Sequence, residues 1–282
     1  MKTLTKRILL TVIGIPVFFS SIYFFPQGNY AIFTIIIMGF SILGSFEMYK
    51  MLHHSDNQRS LVHPVFAGLL PITAYIQLYM LPGYHFINIV YIAVILGLLF
   101  YETIHGKIDN FQGSTTRMAY SITHLVYPSG LLLYVFYMTA LDHAPLFIIF
   151  WFLMIFSNDV FAYVFGISFG KNSRGIMPVS PNKSLVGFIG GFSVTILNGI
   201  IYYTVVTPLH EYGSLLLYVL LSAGISLFAN AGDLVESALK RSSQKKDSGI
   251  IVPGRGGILD TIDSIVFSAP FFYYFVLYIL KV

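Results

Sequence analysis

The chain has 282 residues, of which 56% are hydrophobic and 17% are aromatic, whereas only 10% are charged. Together with a mean hydropathy of +0.77, this composition excludes an ordinary soluble domain and is typical of an integral membrane protein. The absence of cysteine excludes disulfides, thiolate metal sites and cysteine nucleophiles.

Apolar runs long enough to cross about 30 Å of hydrocarbon predict nine membrane-spanning helices. They lie at about residues 8–25, 30–48, 64–80, 86–101, 118–141, 145–169, 185–206, 214–232 and 262–280. We expect the first to be a retained helix, because no small-x-small cleavage pattern follows it. The predicted fold is therefore an all-α polytopic membrane protein.

The cations predict the orientation of the chain. If the nine helices alternate, 15 of the 16 Lys and Arg residues lie on one side of the membrane, and only Lys281 lies on the other. By the positive-inside rule the N-terminus is then cytoplasmic. The sequence pI of about 9.0 thus reflects membrane orientation and anionic lipids, and we predict no nucleic-acid partner. As a separate expectation, the membrane is the inner (plasma) membrane of a bacterium.

The distribution of polar and charged residues along the chain changes near residue 141. We assign helices 1–5 to residues 1–141, and a catalytic region with helices 6–9 to residues 142–282, with cytoplasmic loops at 171–184 and 240–257. In the first part, Glu47 and Glu102 lie near predicted helix ends, and we interpret them as solvated anchors. The histidines of its loops show no metal-ligand spacing and receive no role; they are His54, His63 and His105.

The first candidate segment joins the sixth and seventh predicted helices. Asp159 lies on the sixth helix, and the loop after it carries Lys171, Ser180 and Lys183. Ser184 directly precedes the next apolar run and predicts an N-cap, and helix N-termini attract phosphate. The alternative is an ordinary amphipathic loop beside one buried aspartate.

The second candidate segment, residues 232–264, holds ten of the 28 charged residues of this apolar chain. The residues that share one predicted helical face are Asp233, Glu236, Ser237 and Lys240. They are followed by Arg241, Asp247, the glycine-rich residues Gly254, Arg255, Gly256 and Gly257, and then Asp260 and Asp263. Carboxylates suit a divalent metal, and cations and loop amides suit phosphates, so the segment predicts nucleotide chemistry.

The order S-x-x-K-R, then P-G-x-G-G, then D-x-x-D, closely resembles the signature of the phosphatidate cytidylyltransferases (CDP-diacylglycerol synthases). Here it is written Ser237 to Arg241, Pro253 to Gly257 and Asp260 to Asp263. The first segment resembles the same family at Asp159, Tyr163, Gly166, Lys171, Ser180, Lys183 and Gly187. The resemblance covers about the C-terminal half in motif and the whole chain in topology.

The resemblance implies that CMP is transferred from CTP to phosphatidic acid in the bilayer, giving CDP-diacylglycerol and pyrophosphate. The catalytic residues would be Asp233, Ser237, Lys240, Arg241, Asp247, Asp260 and Asp263. The substrate-binding residues would be Asp159, Lys171, Ser180, Lys183, Gly254, Arg255, Gly256 and Gly257. Asp233 and Asp260 would hold Mg²⁺ beside a second cation, K⁺, and the resemblance also implies a homodimer.

Three positions depart from the family pattern. Arg255 and Thr261 stand where the family typically has His and Arg, and Val186 stands where it has Glu. Arg255 would still contact phosphate, but guanidinium cannot relay a proton. The alternatives are therefore a cytidylyltransferase for another lipid phosphate, an inactive paralogue, or a transporter lined by acidic residues.

Overall fold

The described part of the chain is helical. The computed structural model describes residues 16–25, 27–53, 59–252 and 256–282. Within these ranges there is no β-strand, and two isolated bridges are the only β-type pairings. The predicted all-α class is therefore confirmed. Residues 1–15 of the chain, with the first eight residues of the first predicted helix, lie outside the described residues.

Residues 16–23 are helical and are followed by a series of longer helices. These are α1 Gln27–Leu52, α2 Pro64–Met80, α3 Phe86–His105, α4 Ser114–His124, α5 Leu131–Met138, α6 Ala144–Ser168, α7 Leu185–Val205, α8 Leu215–Ser242 and α9 Leu259–Phe275. By length and composition, α1, α3, α6, α7, α8 and α9 can each cross a membrane.

Two other predicted spans are shorter or interrupted. The helix α2, Pro64–Met80, is apolar but falls among the shorter helices of 10–17 residues. The predicted span 118–141 is divided between α4 and α5, because Tyr127 leaves the helical region and Pro128 has no N–H to donate. The described part of the chain therefore contains six helices that can span a membrane. The count of nine and the orientation stay predictions.

One compact unit consists of Met1–Tyr137 and Ser242–Ile262. In it α1 packs along α2, and a Cβ at Gly68 would lie only 2.5 Å from the Cα of Ile42, so this approach requires glycine. The core of this unit contains Val62, Ala67, Leu70 and Leu125, packed against α3. The loop after α8, which the division at residue 141 assigns to the C-terminal part, thus belongs to the first unit.

The second unit consists of Met138–Arg241 and Asp263–Val282. Here α6 and α7 pack closely because α7 presents small residues to its neighbour. A Cβ added at Gly191 would lie 2.7 Å from the carbonyl oxygen of Asn158. The predicted N-cap is confirmed, since the Ser184 hydroxyl accepts the N–H of Gly187 at 3.1 Å. This cap sets where α7 begins, directly after the loop that carries Lys183.

Candidate functional site

Two groups of polar side chains and backbone N–H groups contain seven of the fifteen predicted site residues, and each lies within one compact unit. The Glu47 cluster, in the first unit, consists of Glu47, Ser248, Gly257, Ile258, Leu259 and Asp260. The Asp263 cluster, in the second unit, consists of Asp159, Lys183, Asp233, Glu236, Lys240 and Asp263.

Asp260 is held in one orientation by the loop before α9. Its Oδ2 accepts the backbone N–H of Ser248 at 2.9 Å and the N–H of Gly257 at 2.7 Å. The Ser248 hydroxyl lies 2.8 Å from the same oxygen. Asp260 also lies in the first turn of α9, where the helix dipole favours a negative charge. The carboxylate is therefore fixed, although the side chain as a whole remains half-buried.

The two described glycines of the P-G-x-G-G sequence, Gly256 and Gly257, are required by this geometry. Gly256 has φ = +114°, which L side chains rarely adopt, and its N–H and carbonyl pair with Val252. A Cβ at Gly257 would collide with the Ser248 hydroxyl and the Glu47 carboxylate. Gly254 and Arg255, two further predicted site residues, lie outside the described residues.

The interpretation of Glu47 as a solvated anchor is wrong. Its side chain is only 3% exposed. Its Oε1 accepts the N–H of Ile258 at 3.0 Å, and its Oε2 accepts the N–H of Leu259 at 2.9 Å. These amides lie at the start of α9, where backbone N–H groups have no acceptor within the helix, and Glu47 supplies the acceptors. The available signal was a single carboxylate within the apolar run of α1, but the partner lies more than 200 residues further along the chain.

The predicted polar face of α8 is confirmed. Glu236 is buried and forms an ion pair with Lys240 one turn later. Asp233 forms an ion pair with Lys183, which the loop before α7 supplies. Ser237 is buried on the same face. Lys183 belongs to the first candidate segment and Asp233 to the second, so the fold brings the two segments together at this point.

Asp263 is buried and is influenced by several other negative charges. It is 8% exposed, and its Oδ1 accepts the N–H of Ser264 at 2.6 Å. The negative charges of Asp233, Asp159 and Glu236 act on it. Within the Asp263 cluster, four carboxylates thus stand beside two ammonium groups, and this balance suits a cation or a cationic complex of a phosphate.

The predicted residues of the two loops lie nearer the surface. Lys171 and Asp247 are exposed, as is Asp159 of the Asp263 cluster, and Ser180 is half-buried. Arg241 is exposed, and its Nε donates to the carbonyl oxygen of Val179 at 3.4 Å. That contact ties the end of α8 to the loop that carries Lys171, Ser180 and Lys183.

The acids present fit Mg²⁺ by their chemistry. Magnesium prefers hard oxygen ligands, and it is commonly held by one or two carboxylates with substrate phosphates and several waters. The described residues contain no group of three or more His, Cys, Asp or Glu side chains placed to hold a metal. A site completed by nucleotide phosphates does not need such a group. Asp260, oriented by three donors, and the partly exposed Asp233 are suitable single ligands.

Glu102, the second acid interpreted as a solvated anchor, is also buried, and that interpretation is wrong as well. It is 1% exposed and accepts hydrogen bonds from Arg117, which is equally buried. Arg117 also donates from Nη1 to Asp109 at 2.7 Å. The hydrogen bonds to Asp109, followed by those to Glu102, raise the pKa of the Arg117 guanidinium above its usual value. This charge group is structural in character and holds α3 and the following turn to α4.

Comparison with known proteins gives consistent matches. A sequence model described as the cytidylyltransferase family matches residues 5–279. A phosphatidate cytidylyltransferase of Bacillus subtilis is 46% identical over 122 residues, 43% of this chain and 44% of the relative. One of Chlamydia muridarum is 32% identical over 182 residues, 62% of this chain and 58% of the relative. An uncharacterized Escherichia coli protein, YnbB, is 41% identical over 141 residues, 50% of this chain and 45% of the relative.

In the matches to the E. coli and B. subtilis proteins, the chain spans a little less than half the length of the relative. The family model, in contrast, covers nearly all of the chain, from before the first predicted helix to beyond the end of α9. Taken with the glycine-rich loop, the oriented Asp260 and the acidic face of α8, this match assigns the chain to the cytidylyltransferase family.

Proposed function

We propose that the protein is a phosphatidate cytidylyltransferase, which transfers CMP from CTP to phosphatidic acid and releases pyrophosphate. The observation that carries the proposal is the Asp260 carboxylate, held by three donors at the N-terminus of α9 directly after the glycine-rich loop. The relatives from B. subtilis and C. muridarum that bear this name support it. The transmembrane helices supply the apolar surroundings that a diacyl substrate needs.

In the proposed reaction, a phosphate oxygen of phosphatidic acid attacks the α-phosphorus of CTP. A new P–O bond forms as the bond from the α-phosphorus to the bridging oxygen breaks, and pyrophosphate leaves with both electrons of that bond. The nucleophile is already anionic, so catalysis consists mainly of positioning and charge neutralisation. No proton transfer is required of Arg255, the residue that replaces the family's usual His.

The cations and the loop amides are proposed to bind the phosphates. Lys240, Arg241 and Arg255 would neutralise the triphosphate and the departing pyrophosphate, and residues 254–257 would donate backbone N–H groups. Lys183, with Lys171 and Ser180, is proposed to face the lipid headgroup or the cytosine end. The ion pair of Lys183 with Asp233 supports this role for Lys183, because a substrate phosphate can replace a carboxylate as its partner.

Magnesium stays a proposal, with Asp233 and Asp260 as its carboxylate ligands and Asp247 and Asp263 in support; a second cation, K⁺, is proposed on the family resemblance. When bound, Mg²⁺ would neutralise negative charge that develops on the phosphates. We further propose a homodimer in a bacterial plasma membrane, with the reaction on the cytoplasmic side.

The test is incorporation of labelled CTP into lipid by the purified protein in detergent with phosphatidic acid, with and without Mg²⁺. Asp260→Asn keeps the size of the side chain but removes its charge, and we expect at least an ~100-fold lower rate, because a positioned charge is lost. The matched control is Asp142→Asn, the same change at an exposed aspartate, which should retain the wild-type rate.

A magnesium-dependent product that requires Asp260 supports the proposal. A product formed only from another lipid phosphate in a parallel panel favours the alternative substrate. CTP binding without any product indicates an inactive paralogue. Folded protein that neither binds CTP nor forms a product contradicts the proposed function, and transport would then be tested in vesicles.

A further inference from the structure

Glu47 connects α1 to the loop that carries the candidate catalytic aspartate. Its carboxylate accepts two backbone N–H groups, those of Ile258 and Leu259, and a third donor, the Ser248 hydroxyl, lies 3.0 Å from its Oε2. A carboxylate is well suited to this place, since the first N–H groups of a helix point at it and the helix dipole favours its charge.

The same end of α1 holds the loop at further points. The Ser243 hydroxyl donates to the carbonyl oxygen of Met51 at 2.7 Å, and the Lys245 ammonium donates to that of Lys50 at 2.9 Å. The loop approaches so closely that a Cβ at Gly249 would collide with the Glu47 carboxylate. The fit between this loop and Glu47 is therefore specific in shape as well as in hydrogen bonding.

A short chain of hydrogen bonds leads from Glu47 to Asp260. The Ser248 hydroxyl lies within hydrogen-bonding distance of Glu47 Oε2 and of Asp260 Oδ2, at 3.0 and 2.8 Å, so it stands between the two carboxylates and can donate its one proton to either. The hydroxyl oxygen also accepts the N–H of Asp260 at 3.3 Å. Gly257, which donates to Asp260 Oδ2, directly precedes Ile258, whose N–H Glu47 holds. Each donor that orients Asp260 is thus fixed, directly or through one residue, by Glu47.

We propose that Glu47 is a positioning residue for the reaction: it holds Ser248 and the first residues of α9 so that the Asp260 carboxylate keeps one orientation. The inference rests on the proposed function, in which Asp260 takes part in phosphoryl transfer. An ordinary N-cap residue in the loop itself would cap the start of α9 equally well. Such a residue would not hold Ser248 from another helix. The link through Ser248 is what distinguishes positioning from capping alone.

The test compares Glu47→Gln with Glu211→Gln, the same change at an exposed glutamate of the second unit. An amide has one acceptor oxygen in place of two, so at least one of the N–H groups of Ile258 and Leu259 loses its acceptor. We measure kcat per CTP-binding site, KM for phosphatidic acid, the melting temperature, and hydrogen exchange of the backbone amides of residues 256–262.

For Glu47→Gln we expect kcat per CTP-binding site to fall about 10–100-fold while KM for phosphatidic acid changes less than about twofold. The Asp260 carboxylate is then misplaced, but the lipid site is not. Exchange of the amides of residues 258 and 259 should accelerate on the order of tenfold. Glu211→Gln should leave all four quantities unchanged. Counting CTP-binding sites removes the effect of any unfolded fraction.

Wild-type kcat per site in Glu47→Gln would overturn the inference, and so would a loss explained entirely by fewer CTP-binding sites. If the wild-type protein itself forms no product, the proposed function fails, and the exchange measurement decides the positioning separately. Accelerated exchange confined to residues 256–262 would then support the hold of Glu47 on Asp260, and unchanged exchange would refute it.

Discussion

Replacing Arg117 with alanine tests whether the buried charge group of the first unit is needed for stability. The Arg117 Nε donates to Glu102 Oε1 at 3.0 Å, and its Nη1 donates to Asp109 Oδ2 at 2.7 Å. Arg117 and Glu102 are each 1% exposed. Alanine would therefore leave a buried carboxylate without its cation, and it would release the turn that Asp109 helps to close.

Removing one partner of a buried ion pair costs about 3–5 kcal/mol, because the remaining charge stays buried and uncompensated. At roughly 2–4 °C for each kcal/mol in domains of 150–250 residues, the melting temperature should fall by about 6–20 °C. Arg117→Lys keeps the charge but cannot make the forked contacts to both acids, so its melting temperature should lie between those of alanine and wild type.

The assay is thermal unfolding in detergent, followed by helical circular dichroism. The control is Lys107→Ala, which removes an exposed cation from the same segment and should change the melting temperature by no more than about 2 °C. If Arg117→Ala melts as Lys107→Ala does, the charge group contributes little, and the structural role assigned to Arg117 is incorrect.

Three further outcomes are expected. Ser184→Ala removes the N-cap hydroxyl that accepts the Gly187 N–H. The free energy of unfolding should therefore fall by about 1 kcal/mol, which is measured as a lower melting temperature. Gly191→Val should abolish stable folding, because a side chain there meets the backbone of α6, and the protein should aggregate in size-exclusion chromatography. The control is Gly97→Val, which should remain monodisperse because a Cβ added there has no neighbour within 4 Å. Trp151, the single tryptophan, is fully buried, so its emission should be blue-shifted and resistant to aqueous quenchers until the protein unfolds; easy quenching in folded protein would contradict this packing.

Much of the candidate site was predictable because its signals are local. The spacing of Asp233, Glu236 and Lys240 places them on one helical face whatever surrounds the helix, and the structure shows the ion pair that this spacing permits. Ser184 before an apolar run predicts an N-cap for the same reason. The residues of the P-G-x-G-G turn that are described, Gly256 and Gly257, occupy positions where a side chain would be strained or would collide.

The incorrect interpretations concern Glu47 and Glu102, and both have one cause. An acid near the end of an apolar helix is solvated or buried according to what packs against it, and its own segment does not contain that information. Glu47 meets partners about 200 residues away, whereas Glu102 meets an arginine 15 residues away across a turn whose course could not be read from composition. Arg117 is closer to Glu102 in the sequence, but the two side chains meet only because of the turn between α3 and α4.

By itself, the sequence determined the all-α membrane class, six of the nine predicted apolar spans and the two polar segments, because composition and helical periodicity are properties of neighbouring residues. Tertiary structure alone decided that Lys183 meets Asp233 and that Ser248 stands beside both Glu47 and Asp260. Such contacts depend on how separate helices pack, and a buried carboxylate is stable only where that packing supplies its donors.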